Sequence, residues 1–366
     1  MLKHCEGFMM NYYRHKFLLL EIVVWIFFAG SCTKIDNPIH KKHYIAYNIA
    51  EPILASVCLW KDDKRAAYTI AFDDVRASHY LISAPELAKR RFRGTFNLNT
   101  ANVSDWNQWK LVARLGNELA SHTVHHVKLT ELSDDSIRWE LQKSKQMIET
   151  MVPENGPVLS FTNPYGIGDA RVKALVKQYY LSERDNWGLN DSSLTPEQLY
   201  DVKGVGIYPP FNEKKLKNRL EQALKMRAWI LVYFHTVTEH PDSTDICQCP
   251  LNFFLDHLDF METKRDSFWI ATQREVAEYV IARTRAVIDL KKTAATKIEI
   301  CVKNVVKANL SDLIVSVRVK IPAEWVGQSL QICDASGKEF VLNHLPKQVV
   351  LQLKLNKKYT LTGFHL

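Results

Sequence analysis

The 366 residues carry no extended lysine or arginine tract, although the formal net charge is +8. That charge is mild for the length; it suits acidic glycans or anionic surfaces, and nucleic acid finds no extended basic track. Solenoid repeats are also missing, as are collagen-like, coiled-coil and disordered compositions. Hydrophobic residues make up 46% and charged residues 24%, so an ordinary folded protein is expected, with one large domain and a small partner. Cysteine is sparse beyond residue 32. Cys58, Cys247, Cys249, Cys301 and Cys333 are an odd set, which leaves at least one thiol unpaired in an oxidising compartment. Cys247-Gln248-Cys249 has no second pair at metal-ligand spacing, and the five are read as structural.

Long apolar runs are lacking too. Arg14 and Lys16 precede Phe17–Gly30, which is broken only by Glu21 and falls short of the about 20 residues a membrane span needs. The stretch has the proportions of a signal-peptide core. Phe28-Ala29-Gly30-Ser31-Cys32 resembles a bacterial lipobox, with Ala29 where leucine is usual. The resemblance implies lipidation of Cys32, export, and a cell-envelope lipoprotein on the periplasmic or outer surface side. Residues 1–31 are then a signal peptide and 32–61 a linker and lead-in.

From 62 to 288 short apolar runs alternate with helical patterns, as in a parallel β/α architecture. Strands are expected at Ala67–Asp73, Gly94–Asn97, Glu118–Ser121, Val158–Phe161, Tyr180–Ser182, Trp229–His235 and Phe268–Ala271. Helices are expected at Leu81–Arg91, Asp105–Leu115, Asp134–Thr150, Ala170–Tyr179, Asn212–Lys225, Leu251–Lys264 and Gln273–Arg283. Beyond 290 the period changes to two. Leu313, Val315, Val317, Val319 and Ile321 fall at every second position, as do Val349, Leu351, Leu353 and Leu355. Asp334-Ala335-Ser336-Gly337 reads as a hairpin turn. Residues 295–366 are expected to form a small β-sandwich-like domain.

Polar residues cluster at the ends of the expected strands. Ala67–Phe72 leads into Asp73-Asp74, Glu118–Ser121 into His122-Thr123-Val124-His125-His126, Phe161 into Thr162-Asn163-Pro164-Tyr165-Gly166, and the strand from Trp229 into His235. Each piece alone has a bland reading as a cap, a turn or a core histidine. Together, two imidazoles four residues apart and one carboxylate suit Zn²⁺ or a similar ion, with positions left open for water and substrate. Such an ion acidifies water and polarises a carbonyl, which leaves the adjacent carboxylate free as a base and His235 as an acid.

These segments resemble the NodB-homology polysaccharide deacetylases, carbohydrate esterase family 4. Thr69–Asp74 is similar to that family's T-F-D-D motif, and Arg93–Leu98 to the G-T-F-F strand after it. Asn117–Thr123 with His126 is similar to E-I-x-x-H-[ST]-x-x-H, Phe161–Gly166 to F-A-Y-P-Y-G, and Val232–His235 to the strand that ends in the acid. The resemblance implies a distorted (β/α) barrel, with Asp73 as base, Asp74, His122 and His126 as ligands of zinc or cobalt, and His235 as acid. It also implies the Tyr165 N–H as oxyanion donor. Trp187 is read either as lining the sugar groove or as a core residue. Val75 stands where the family has glycine, and Thr162 where many members have the arginine that holds the base. Arg184, on the run Tyr180–Asp185, is expected to take that orienting role, with a surface ion pair to Asp185 or Glu183 as the alternative.

The expected activity is metal-dependent removal of acetyl groups from a polysaccharide, by N- or O-deacetylation. An acetyl-xylan-type esterase and an inactive carbohydrate-binding lipoprotein on the same fold are the alternatives. The expected partner is an acetylated glycan, with no nucleic acid and with membrane contact only through the lipid.

Overall fold

The computed structural model describes residues 54–304 and 313–364; the expected signal peptide and Cys32 lie outside them. A short strand, β1 (Ala55–Val57), precedes seven parallel strands: β2 (Ala66–Asp73), β3 (Thr95–Leu98), β4 (Glu118–Ser121), β5 (Ser160–Thr162), β6 (Ser182–Trp187), β7 (Val202–Gly206) and β8 (Trp229–Phe234). They pair in sequence order, and β8 closes on β2 through the register Ala67↔Trp229 to Phe72↔Phe234. All eight residues of β2 and all six of β8 are buried, as a strand covered on both faces requires.

Past β8 lie the paired strands β9 (Thr236–Thr238) and β10 (Gln248–Pro250), then β11 (Phe268–Ile270). The distortion of the barrel lies at β2. One edge of this strand carries β11 along Ala66–Tyr68 and β3 along Ala71–Asp73, so two strands share one side of it.

Around the barrel run α1 (Ala84–Lys89), α2 (Trp106–Arg114), α3 (Asp134–Met151), α4 (Ala170–Val176), α5 (Glu213–Met226), α6 (Leu251–Thr263) and α7 (Gln273–Arg285). Asp105, Ser133, Asp169, Asn212 and Thr272 cap α2, α3, α4, α5 and α7, each side chain accepting from a backbone N–H in the first turn. The start of α7 plugs one end of the barrel. Gln273 N–H donates to Thr95 Oγ1 (2.9 Å), Arg274 N–H to Glu118 Oε2 (3.0 Å), and Gln273 Nε2 to Ser182 Oγ (3.1 Å). Thr95, Glu118 and Ser182 begin β3, β4 and β6. The opposite end, where the strands finish, is left for the loops.

α7 runs directly into β12 (Ala286–Ala294), followed by β13 (Lys297–Asn304), β14 (Ile314–Lys320), β15 (Ser329–Asp334), β16 (Glu339–Leu342), β17 (Gln348–Lys354) and β18 (Lys357–Phe364). They form two antiparallel sheets, β12-β13-β18-β15-β16 and β1-β14-β17. The second module thus begins at Ala286 rather than 295 and takes β1 from the expected linker. It shares one apolar cluster with α7, whose Tyr279 hydroxyl donates to the Cys58 carbonyl (3.0 Å) and accepts from Ser316 N–H (3.3 Å). The hairpin turn is present: Asp334 Oδ1 accepts from Ser336 N–H (2.8 Å) and Lys338 N–H (3.1 Å), and Gly337 has φ +83°. No disulfide joins the five cysteines of the described residues.

Candidate metal centre

Register brings the polar strand ends together. Phe72 sits opposite Phe234, so Asp73 and His235 follow side by side on neighbouring strands. Asp73 is level with Asn97, Leu98 with Ser121, and Thr162 with Arg184. Four non-glycine residues here have left-handed backbones: Asp74 (φ +72°), Thr123 (+67°), His126 (+56°) and Tyr165 (+62°). That conformation costs about 1–3 kcal/mol each and persists where the surroundings enforce it, typically at functional sites. The glycine expected after Asp74 is dispensable because Asp74 itself makes the turn.

Asp74 Oδ1 lies 3.5 Å from His126 Nε2 and 4.0 Å from His122 Nε2, and one ligand atom from each of the three falls within 4.8 Å of the others. Two ligands of one tetrahedral zinc are separated by about 3.3 Å, so a small closure suffices for all three to share an ion. His122 Nδ1–H donates to the Thr162 carbonyl (2.7 Å), which fixes the tautomer with Nε2 bare. Asp74 Oδ2 accepts from Arg76 (2.9 Å). The donor set therefore fits a divalent ion of the zinc type.

Glu140, in α3, organises the loop that carries both imidazoles. Its buried carboxylate accepts from Val124 N–H (2.7 Å), His125 N–H (3.1 Å) and His125 Nδ1–H (2.7 Å). His125 is thereby turned away from the cluster and stacks on Trp139, with ring centroids 5.6 Å apart and 8° between planes.

Asp73 is held at both oxygens. Asn97 Nδ2 donates to Oδ1 (2.8 Å) and Arg184 Nη2 to Oδ2 (2.5 Å). The Arg184 guanidinium carbon lies over the Tyr233 ring, 3.9 Å from its centroid. The alternative surface pairing is not adopted: Asp185 pairs with Lys173 (3.0 Å), and Glu183 accepts from Asn163 (2.9 Å). Thr162 and Arg184 are adjacent across β5 and β6, so the guanidinium reaches Asp73 from the strand next to that of Thr162.

Burial works to raise the Asp73 pKa, but Arg184, His122 and His235 outweigh it and hold the carboxyl well below the usual carboxylate range. Asp74 is likewise raised by burial and lowered overall by His122, His235, His126 and Arg76. Burial lowers His122 and His235 against the pull of the two carboxylates, and burial with the neighbouring His122 takes His126 down to about 4. Asp74 is thus ionised and His122 and His126 neutral, the forms that bind metal.

Tyr165 is exposed, its ring 4.7 Å from that of His126. Trp187 is 53% exposed and packs beside Tyr233 (5.7 Å) and Tyr208 (6.1 Å), which excludes the core reading. Sequence reasoning missed Asn97, Glu140 and Tyr233. Asn97 lies one residue before the end of β3, level with Asp73, in a strand too mixed in polarity to single it out. Glu140 lies mid-helix, where a glutamate looks like solvent-facing polarity.

Residues 61–182 match the family described as "Polysaccharide deacetylase". A curated relative, a gellan lyase from a Bacillus species, is 22% identical over 292 residues, 74% of this chain. The match spans 12% of that relative's length. Among solved structures, the Xyl-CE4 domain of a multidomain xylanase from the hindgut metagenome of Trinervitermes trinervoides is 19% identical, covering 58% of this chain and 90% of that one, with a TM-score of 0.41. A CE4 family pseudoenzyme from Bacillus anthracis is 19% identical over 58% of this chain and 65% of its own, with a TM-score of 0.39.

Proposed function

We propose that this chain carries a polysaccharide deacetylase domain, which residues 61–182 resemble, and that it is a metal-dependent hydrolase that removes acetyl groups from a polysaccharide. The observation that carries this reading is the pairing of Asp73 with Arg184 and Asn97 directly beside the Asp74–His122–His126 cluster. One carboxylate is a ligand and its sequence neighbour is kept ionised and oriented, the division of labour an acetyl-transferring hydrolase needs.

A divalent ion held by Asp74, His122 and His126 would acidify a water and draw charge from the acetyl carbonyl oxygen. Asp73 accepts the proton that the attacking water loses. Arg184 and Asn97 occupy one lone pair on each Asp73 oxygen and so fix the direction of the others. The Tyr165 backbone N–H donates to the carbonyl oxygen as negative charge develops on it. His235, in its protonated form, gives its proton to the departing amine or hydroxyl as the C–N or C–O bond breaks, and acetate leaves. Trp187, half-exposed beside Tyr208 and Tyr233, offers a flat face to a sugar ring. Export and anchoring through a lipidated Cys32 complete the proposal and place the enzyme where glycans are met.

The test is acetate release from a panel of N- and O-acetylated glycans, before and after chelation and with Zn²⁺ or Co²⁺ restored. Release that disappears with the chelator and returns with the ion supports the reading. Glycan binding with no acetate from any member of the panel, metal restored, would replace it with a carbohydrate-binding role.

A further inference from the structure

His79 is fully buried next to the site and has no part in the chemistry above. Its ring sits among Phe72, Phe96 and Trp109, with centroids 5.5, 5.8 and 6.2 Å away. Its Nδ1 has no hydrogen-bond partner among the described residues. Burying such an atom unpaired costs about 1–3 kcal/mol, a cost that leucine or phenylalanine in the same box would avoid. The imidazole contributes at its other nitrogen. Nε2 lies 2.8 Å from the backbone carbonyl oxygen of His235. A carbonyl only accepts, so Nε2 carries the proton and Nδ1 is bare. Burial holds the ring neutral, with its pKa lowered to about 4, which suits a single-donor role.

The contact is one of three. Val237 N–H donates to Ser78 Oγ (3.2 Å), and His79 N–H donates to the Arg76 carbonyl (3.0 Å). The turn that leaves β2 with Asp73 and Asp74 is therefore closed on itself, then tied to the chain at residues 235 and 237. The β2–β8 ladder has its last pair at Phe72↔Phe234, so it does not reach His235.

We propose that His79 is a positioning residue. Its Nε2–H, helped by Ser78, fixes the His235 backbone and joins the metal-bearing turn to the acid-bearing strand end as one unit. The catalytic consequence rests on the reading of His235 as proton donor; the clamp itself does not.

The test compares metal-loaded wild type with His79→Phe, which fills the box without a donor, and His79→Gln, which restores an N–H at the Nε2 position. Ser78→Ala probes the second tie without disturbing the core. Bound metal, kcat, KM and amide exchange are measured for each. In His79→Phe, metal content and KM stay at wild-type values while kcat falls about tenfold to a hundredfold, the cost of a misplaced catalytic group. Amides at 236–238 exchange faster while those of β3 and β4 do not. His79→Gln recovers most of both effects, and Ser78→Ala shows a smaller change in the same direction. Wild-type exchange at 236–238 in His79→Phe, or a His79→Gln variant as impaired as His79→Phe, overturns the proposal. If the wild type releases no acetate while exchange responds as described, the clamp is upheld and the hydrolase reading falls.

Discussion

Asp73 must be ionised, fixed in direction and close to a cation, and each requirement has a named partner. Arg184 supplies charge and direction at Oδ2, Asn97 supplies direction at Oδ1, and the Tyr233 ring lies under the guanidinium. Removing the guanidinium leaves the metal ligands intact but lets the base turn. Arg184→Ala is expected to keep its metal while kcat falls about tenfold to a thousandfold, or about 1.4–4 kcal/mol of barrier. Arg184→Lys retains the charge but not the planar fork or the stack on Tyr233, and should recover part of the loss. Unchanged kcat in the alanine variant would leave Asp73 without an orienting partner. The two adjacent histidines give a second contrast. His126→Ala should lose most metal affinity, whereas His125→Ala should keep it, because His125 faces Glu140 and Trp139. Equal loss in both would place the site on the wrong imidazole.

Loops make the site, and the elements beneath fix the loops. The clearest case is α3, which sends Glu140 back under the His122–His126 loop to take two backbone N–H groups and the His125 ring. Glu140→Leu keeps an apolar stem of similar length and removes those acceptors. Metal affinity should fall about tenfold to a hundredfold, as for other groups that orient ligands from behind. Isothermal titration with Zn²⁺ decides it, and an unchanged Kd would mean that the left-handed turns at Thr123 and His126 hold without Glu140. Strands that lead into Asp or His were legible in the sequence, because a buried apolar run stopped by such a residue is a strong local signal: β2 and β8 show it. By contrast, β7 is Val-Lys-Gly-Val-Gly, too short and glycine-rich to declare itself, and its pairing with β6 and β8 decides it. The strand at Tyr180 was expected two residues early, since Tyr180 and Leu181 are apolar but precede the pairing that begins at Ser182. β1 was missed as part of the second module because its partner β14 lies far along the chain and leaves no local mark, and β12 because it runs on from α7 with no turn residue between them.

At the scale of the whole molecule, buried imidazoles set the response to acid. Burial lowers His79 and His126 to about 4 and His257 to about 3, from an unfolded value of 6.5. Between those values the unfolded chain binds protons that the folded chain does not. Stability is therefore complete above pH 6.5 and falls as the pH drops, by about 1.4 kcal/mol per unit for each such group. Asp73 adds a later loss: its lowered pKa contributes stability above the ordinary carboxylate value that disappears as the pH falls below it. Denaturant titrations of metal-free protein from pH 7.5 to 4 should show this decline, with the steepest part below 6.5. A flat profile would mean that these rings are hydrated or protonated in the fold.

The most direct test of the central claim, that Asp74, His122 and His126 hold one ion on which deacetylation depends, is a stoichiometric titration. Metal-free protein is given Zn²⁺ or Co²⁺ in small steps, and bound metal and the rate of acetate release from an acetylated glycan are read at each step. Activity should start at zero, rise in proportion to bound metal and level off at one equivalent per chain, with no rise in His126→Ala. Full acetate release before any metal is added, or a plateau unaffected by His126→Ala, would contradict the account.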